Sequence, residues 1–209
     1  MKFKIILGLL FLTSSFYVHA QQQPEPQSTP QKDKKSEPTY GMTATGYVRP
    51  DKKTRQKNYF KSMFSLTSLG RTVVSAGYHT WQNNPEEWGT HWDGFGRRVA
   101  SGVGRNVIKQ TTIYALDESF KLDSRFYRSR KRNFGAKVKN AVISPFTARN
   151  VSGKRVFGFP RLIGTYTSTI IAAETWSPKR FNYVDGLRGG TISLGMNAAF
   201  NLVKEIFKK

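Results

Sequence analysis

The sequence predicts a mainly α protein: a compact bundle of about four helices with glycine and small-residue faces, following a disordered N-terminal tether. Three observations predict it. Apolar residues recur three and four apart through much of residues 57–209, as one buried helical stripe requires. Small residues repeat at every fourth position inside those stretches. Residues 21–56 are rich in Gln, Pro, Ser, Thr and Lys and nearly devoid of aliphatic side chains, so burial cannot offset the entropy of ordering them. The competing architecture is a small outer-membrane β-barrel, which the abundant aromatics and glycines would suit. A barrel requires repeated alternating segments of ~10 residues, and only residues 156–169 hint at one.

Taken in order, residues 1–20 read as a cleaved secretory signal peptide. Lys2 and Lys4 form a positive start, residues 5–18 are predominantly apolar, and Val18-His19-Ala20 places small residues at −3 and −1 before Gln21. The apolar run is interrupted by Thr13, Ser14 and Ser15 and is shorter than the ~20 residues of a spanning helix. The tether of residues 21–56 follows, and then a helical envelope domain at 57–209. Within it, helices are expected over 57–81, 94–119, 161–175 and near 186–207. A short helix near 134–142 lies in an otherwise irregular basic stretch. Asn83-Asn84-Pro85 stops the first helix and Trp176-Ser177-Pro178 the one before the last, since proline disfavours helix at the residue preceding it.

The expected packing follows from the wheels. In 57–81 the buried stripe is Tyr59, Phe60, Met63, Phe64, Leu66, Val73, Val74, Gly77 and Trp81. In 94–119 it is Gly96, Ala100, Val103, Gly104, Val107, Ile108, Thr111 and Tyr114, with Arg98, Arg105 and Lys109 opposite. Three rows of small residues stand out: Gly96, Ala100 and Gly104; Gly164, Ser168 and Ala172; Thr191, Gly195 and Ala199. Each glycine inside a helix costs roughly 1 kcal/mol relative to alanine, so the rows predict helices in close approach, as in membrane helix pairs.

Charge is the strongest compositional signal. The chain carries 34 Lys and Arg against 13 Asp and Glu, a formal +21, and loss of Lys2 and Lys4 with the signal peptide leaves +19. Eleven of those charges fall in residues 121–161, where twelve basic side chains meet the single acid Asp123. Candidate residues for holding an anionic surface are Arg125, Arg128, Arg130, Lys131, Arg132, Lys137, Lys139, Lys154 and Arg155. Phe126, Tyr127, Phe134, Phe146, Phe157 and Phe159 are interleaved with them. Each Lys or Arg near an anionic membrane contributes about 1 kcal/mol, and aromatic rings settle at the headgroup level. A nucleic-acid groove would use the same composition, but export separates the chain from nucleic acid. The expected partners are therefore anionic lipid, lipopolysaccharide or wall polymer, or another envelope protein.

Reactive groups are few. With no cysteine there is no disulfide, no thiolate metal site, no cysteine nucleophile and no lipid-bearing N-terminal Cys. Neither a G-x-S-x-G elbow nor a phosphate-binding P-loop pattern is present, and His91 and Asp93 lack the helical spacing of a zinc site. No catalytic residue, metal or cofactor is assigned. The enzyme alternative, a cell-wall polysaccharide hydrolase, needs a cleft joining His91, Asp93 and a distant carboxylate such as Glu174.

An ordered set of short motifs completes the reading: Phe64-Ser65, Ala76-Gly77, Gln82-Asn83, Pro85-x-x-Trp88-Gly89, Gly94-Phe95-Gly96-x-Arg98, Asp123-Ser124-Arg125-Phe126-Tyr127 and Trp176-Ser177-Pro178. Their order and spacing resemble those of an uncharacterised group of secreted bacterial proteins, familiar mainly from acidobacterial genomes, over about residues 59–207. The resemblance implies a mostly helical envelope protein and implies no reaction. This chain departs from the group in its heavier Lys and Arg content after Asp123.

Together these readings give an expected function: an exported, non-enzymatic protein of the periplasm or outer membrane, or one released outside the cell, that associates with an anionic membrane surface or polymer through its basic aromatic segment. A scaffold that binds another envelope protein is the third reading, and it would present a contiguous apolar patch instead of a basic one.

Overall fold

Helices begin and end where local chemistry dictates. A computed structural model describes residues 41–42, 46–129, 131 and 133–207; the expected signal peptide, most of the tether, Arg130 and Arg132 lie outside them. The described residues fall in one compact unit. Six α-helices are present among them: α1 Lys52–Phe64, α2 Leu66–Trp81, α3 Trp92–Ser119, α4 Phe134–Ile143, α5 Phe159–Thr175 and α6 Tyr183–Phe207. Two short antiparallel pairs accompany them: β1 Gly41–Met42 with β2 Tyr47–Val48, and β3 Thr147–Arg149 with β4 Arg155–Phe157. The fold is mainly α, as expected, and the alternative barrel is not formed by the described residues; of 156–169, all beyond Phe157 except Gly158 is helix.

The single helix expected over 57–81 is two. Ser65 is extended and ends α1, and its side chain accepts a hydrogen bond from the Ser68 amide as the N-cap of α2. Helix α1 also starts at Lys52, inside the stretch read as tether. At the far end of α3 the chain closes with Lys121 at a positive φ of 53°. The Leu122 amide reaches the Asp117 carbonyl at 2.8 Å and the Lys121 amide reaches that of Glu118, while the Leu122 side chain is buried beneath the turn. Asn133 caps α4 by accepting from the Ala136 amide at 2.7 Å. The β3–β4 hairpin, in a stretch expected to be irregular, pairs Ala148 with Val156 and Arg149 with Arg155.

Helix α5 is the centre of the bundle and packs against both α3 and α6. A Cβ placed on Gly164 would stand 2.8 Å from the Lys109 carbonyl oxygen of α3. On its other side, α6 approaches through Gly186, where a Cβ would be 2.6 Å from the Ile170 Cα, and through Gly190 against the Tyr166 ring. Ser168 and Ala172 are buried with Gly164, so this row lies in a helix contact. The other rows differ from expectation. Gly96 and Gly195 have open space where a Cβ would be, and Ala100, Thr191 and Ala199 are exposed. Gly104 touches only the Trp176 ring.

The interior itself inverts the expected stripes. The largest fully buried side chains are Thr165, Pro50, Pro145, Pro160, Ser124 and Ser168, and five of the eight buried apolar residues are alanine. Of the stripe expected inside 57–81, Met63 is buried, whereas Phe60, Phe64, Leu66, Val73, Val74 and Trp81 are exposed. In α3 the buried positions are Gly94, Arg98 and Ser101, so Arg98 lies inside although the wheel put it with the charged face. The wheel assigns a face inward by apolarity; here many of the buried positions are instead small, among them Ala76, Ser101, Gly164, Thr165 and Ser168.

Candidate functional site

The start of the basic segment is organised by the buried carboxylate of Asp123. The Asp123 main chain pairs with that of Arg149 at 2.8 and 2.9 Å, which fixes the segment after α3 against β3. The Asp123 side chain then gathers Arg125, whose Nη2 donates at 2.9 Å, the Tyr127 hydroxyl at 2.6 Å and the Tyr47 hydroxyl at 2.8 Å. Burial raises the energy of this carboxylate, but the hydrogen bonds and charge of Arg125, with Tyr127 and Tyr47, outweigh it and hold its pKa at about 2. The two tyrosine hydroxyls are pushed up, first by burial and then by the Asp123 charge. Arg149 lies over both tyrosine rings, 5.9 and 5.6 Å from their centroids, and donates to the Gly153 carbonyl at 2.6 Å. Next to this node, Ser124 donates its amide and hydroxyl to Asp117 at 3.0 and 2.8 Å. Burial nonetheless pushes Asp117 up to about 6, against the opposing pull of those bonds.

A second motif serves a similar purpose at the other end of α3. The Arg98 guanidinium donates to three main-chain carbonyls, of Asn84 at 2.9 Å, Gly89 at 2.7 Å and Pro85 at 2.7 Å. Gly94 allows the same loop to close: a Cβ there would be 2.1 Å from the Trp88 carbonyl oxygen. The Pro85-x-x-Trp88-Gly89 and Gly94-Phe95-Gly96-x-Arg98 motifs are thus one loop and its clamp. Gly96 has no contact that requires it.

The nine cations proposed for an anionic surface divide. Arg125 is committed to Asp123. Arg155 donates to Asn140, whose amide in turn donates to the buried Glu205 at 2.6 Å. Arg128 donates to the Lys204 carbonyl and is exposed. Lys131, Lys139 and Lys154 are exposed, and Lys137 is half-buried. Arg130 and Arg132 are outside the described residues. The segment therefore spends its arginines partly on its own fold and keeps lysines at the surface, where they act as solvated point charges.

No family model, no curated protein and no solved structure matches this chain.

Around this framework the large apolar side chains face outward. Leu66 is 88% exposed, Trp92 85%, Trp81 80% and Phe207 79%. Every helix carries some: Phe60 and Phe64 on α1, Val73 and Val74 on α2, Phe134 on α4, Ile163 and Ile171 on α5, Ile192 and Met196 on α6. The sequence reading placed Phe60, Phe64, Leu66, Val73, Val74 and Trp81 inside, and all six are exposed. Among the described residues there is no group of three or more His, Asp or Glu that could hold a metal. The open depression of about 510 Å³ at the end of α2 is lined by Trp81, Gln82, Asn83, Asn84, Glu86 and Arg180. His91, Asp93 and Glu174 are exposed and do not line it.

Proposed function

We propose that this chain is an exported envelope protein that seats on an anionic membrane surface, with apolar side chains entering the headgroup and acyl boundary and surface lysines meeting the anionic headgroups. The single observation that carries the reading is the inverted burial: small and hydroxylated residues inside, large apolar residues outside on every helix. Scattered apolar residues are ordinary on a water-facing protein. Four large side chains at about four-fifths exposure or more, above a core whose buried apolar residues among those described are five alanines, Met63, Leu122 and Leu194, are not. A lipid boundary accounts for exposure on all helices, whereas a protein partner would cover one face. No helix among the described residues is long and apolar enough to cross a membrane, which favours interfacial attachment.

The basic segment supplies the second component. Lys131, Lys139 and Lys154 are exposed, as are Phe134 and Phe157 of the same segment, and each such cation adds about 1 kcal/mol near an anionic leaflet. Flotation of the purified protein with phosphatidylcholine vesicles, with and without phosphatidylglycerol, tests the reading. Capture by the anionic vesicles that weakens with salt supports it. Equal capture by both vesicle types with no salt effect, or no capture, overturns it.

A further inference from the structure

The depression at the end of α2 lies outside the basic segment and forms where the helix stops. The Gln82 amide reaches the Tyr78 carbonyl at 3.0 Å, Asn83 turns at a positive φ of 50° with its amide 3.1 Å from the Thr80 carbonyl, and the Asn84 amide reaches the His79 carbonyl at 2.9 Å. Three consecutive carboxamide side chains are thereby wrapped around the helix end, and all three line the depression together with Trp81. Buried Arg98 holds this loop through the Asn84 and Pro85 carbonyls at 2.9 and 2.7 Å, so the rim is fixed before a ligand arrives. Arg180, from the connection between α5 and α6, completes the lining with Glu86. Its guanidinium pairs with Glu87 at 2.9 Å and stands 5.0 Å from the Phe181 ring centre.

Of the four most exposed large side chains, Trp81 alone borders this depression. Its ring stays 80% exposed although the Tyr78 ring centre is 6.1 Å away, and Gln82 donates to the Tyr78 hydroxyl at 2.8 Å. The volume of about 510 Å³ falls within the roughly 300–1,000 Å³ of ligand sites, and its open form suits a segment of a longer chain. A polyanion fits poorly: the lining holds one carboxylate against one guanidinium, and Glu87 engages that guanidinium, in a chain of formal +21. An extended peptide calls for a sheet edge or an apolar groove, whereas here one indole is set among polar side chains.

We infer that this depression is a glycan-binding site, which takes a run of neutral pyranose sugars. A pyranose ring has an apolar C–H face and a polar edge of hydroxyls. The C–H face stacks on the electron-rich face of Trp81. The hydroxyls both donate and accept, and so match the carboxamides of Gln82, Asn83 and Asn84, the Glu86 carboxylate and the Arg180 guanidinium. The site does not rest on the membrane reading, because it uses no surplus of positive charge.

Calorimetric titration of the mature chain with chitohexaose and with cellohexaose tests the site at high salt, where attraction between exposed charges is screened. Trp81→Ala removes the stacking ring and Arg180→Ala a hydrogen-bonding wall; both side chains are at least half exposed, so the variants keep the fold. Leu66→Gln, at the opposite end of α2 and about 22 Å away along the helix, is the control. The expected result is binding of at least one hexasaccharide, at least tenfold weaker in Trp81→Ala, several-fold weaker in Arg180→Ala and unchanged in Leu66→Gln. Tighter binding of chitohexaose identifies the acetamido group as a contact, and equal binding identifies the shared ring face. Binding of neither sugar, binding by either depression variant as by the wild type, or an equal loss in Leu66→Gln overturns the site.

Discussion

The Tyr47 hydroxyl donates to the Asp123 carboxylate at 2.8 Å across 76 residues of sequence, and so ties the first described strand pair to the segment that follows α3. Asp123 is buried and accepts from three side chains, so its loss leaves several donors unpaired.

Asp123→Asn is expected to destabilise the fold by about 3 kcal/mol, and Tyr47→Phe by about 1 kcal/mol. Urea midpoints measure both. The carboxylate has a folded pKa of about 2, below its ordinary 3.8. Its contribution, roughly 2 kcal/mol, is complete above pH 3.8 and is lost as pH falls toward 2. Acid unfolding of Asp123→Asn should lack that component, and an identical acid limb in both proteins would refute the assignment.

Two glycine substitutions should have opposite signs. Gly96→Ala enters open space on a helix and should stabilise by about 0.5–1 kcal/mol. Gly164→Ala drives a methyl to 2.8 Å from the Lys109 carbonyl oxygen and should destabilise by about 1–3 kcal/mol. Thermal melts of the pair decide it; the expected row of Gly96, Ala100 and Gly104 as a packing face would require both to destabilise.

The pH response of Lys109 has the opposite sense to that of Asp123. Burial, followed by repulsion from Arg161, Arg105 and Arg71, lowers its pKa from 10.5 to about 8. The unfolded chain holds this proton more firmly, so stability rises between about pH 8 and 10.5. A shift of that size is at most roughly 3 kcal/mol, and solvent access to the half-buried side chain reduces it. Lys109→Met should be more stable than the wild type at pH 7, with the gap closing by pH 10.5. Parallel denaturation curves at those two pH values check this.

Leu66→Gln and Trp92→Gln change side chains that are almost wholly exposed. Folding stability should stay within about 0.5 kcal/mol of the wild type, while vesicle capture falls several-fold. Urea melts and flotation measured on the same preparations separate the two effects, and unchanged capture in both variants would count against insertion of these residues.

The helices were legible because three- and four-residue periodicity survives whichever face is buried; α3, α4, α5 and α6 begin within three residues of the expected starts. The break at Ser65 was not legible, since the apolar pattern continues across it from Phe64 to Leu66. Period alone assigns Leu66, Val74 and Trp81 to one stripe but does not say that the stripe faces outward. The Asp123 motif was visible as a string of residues, yet its dependence on Tyr47 was hidden, because that tyrosine sits in a stretch with the composition of a tether.

The small-residue core also sets how this sequence is able to drift. At Gly164, Gly186 and Gly190 a neighbouring helix occupies the volume that any larger side chain would need, while Leu66, Val74 and Ile192 project into open surroundings. Replacement should therefore be purged at these three glycines and accepted at these bulky exposed positions, the reverse of the size rule that a large apolar core sets. A saturation library sorted for folded protein would display that reversal position by position.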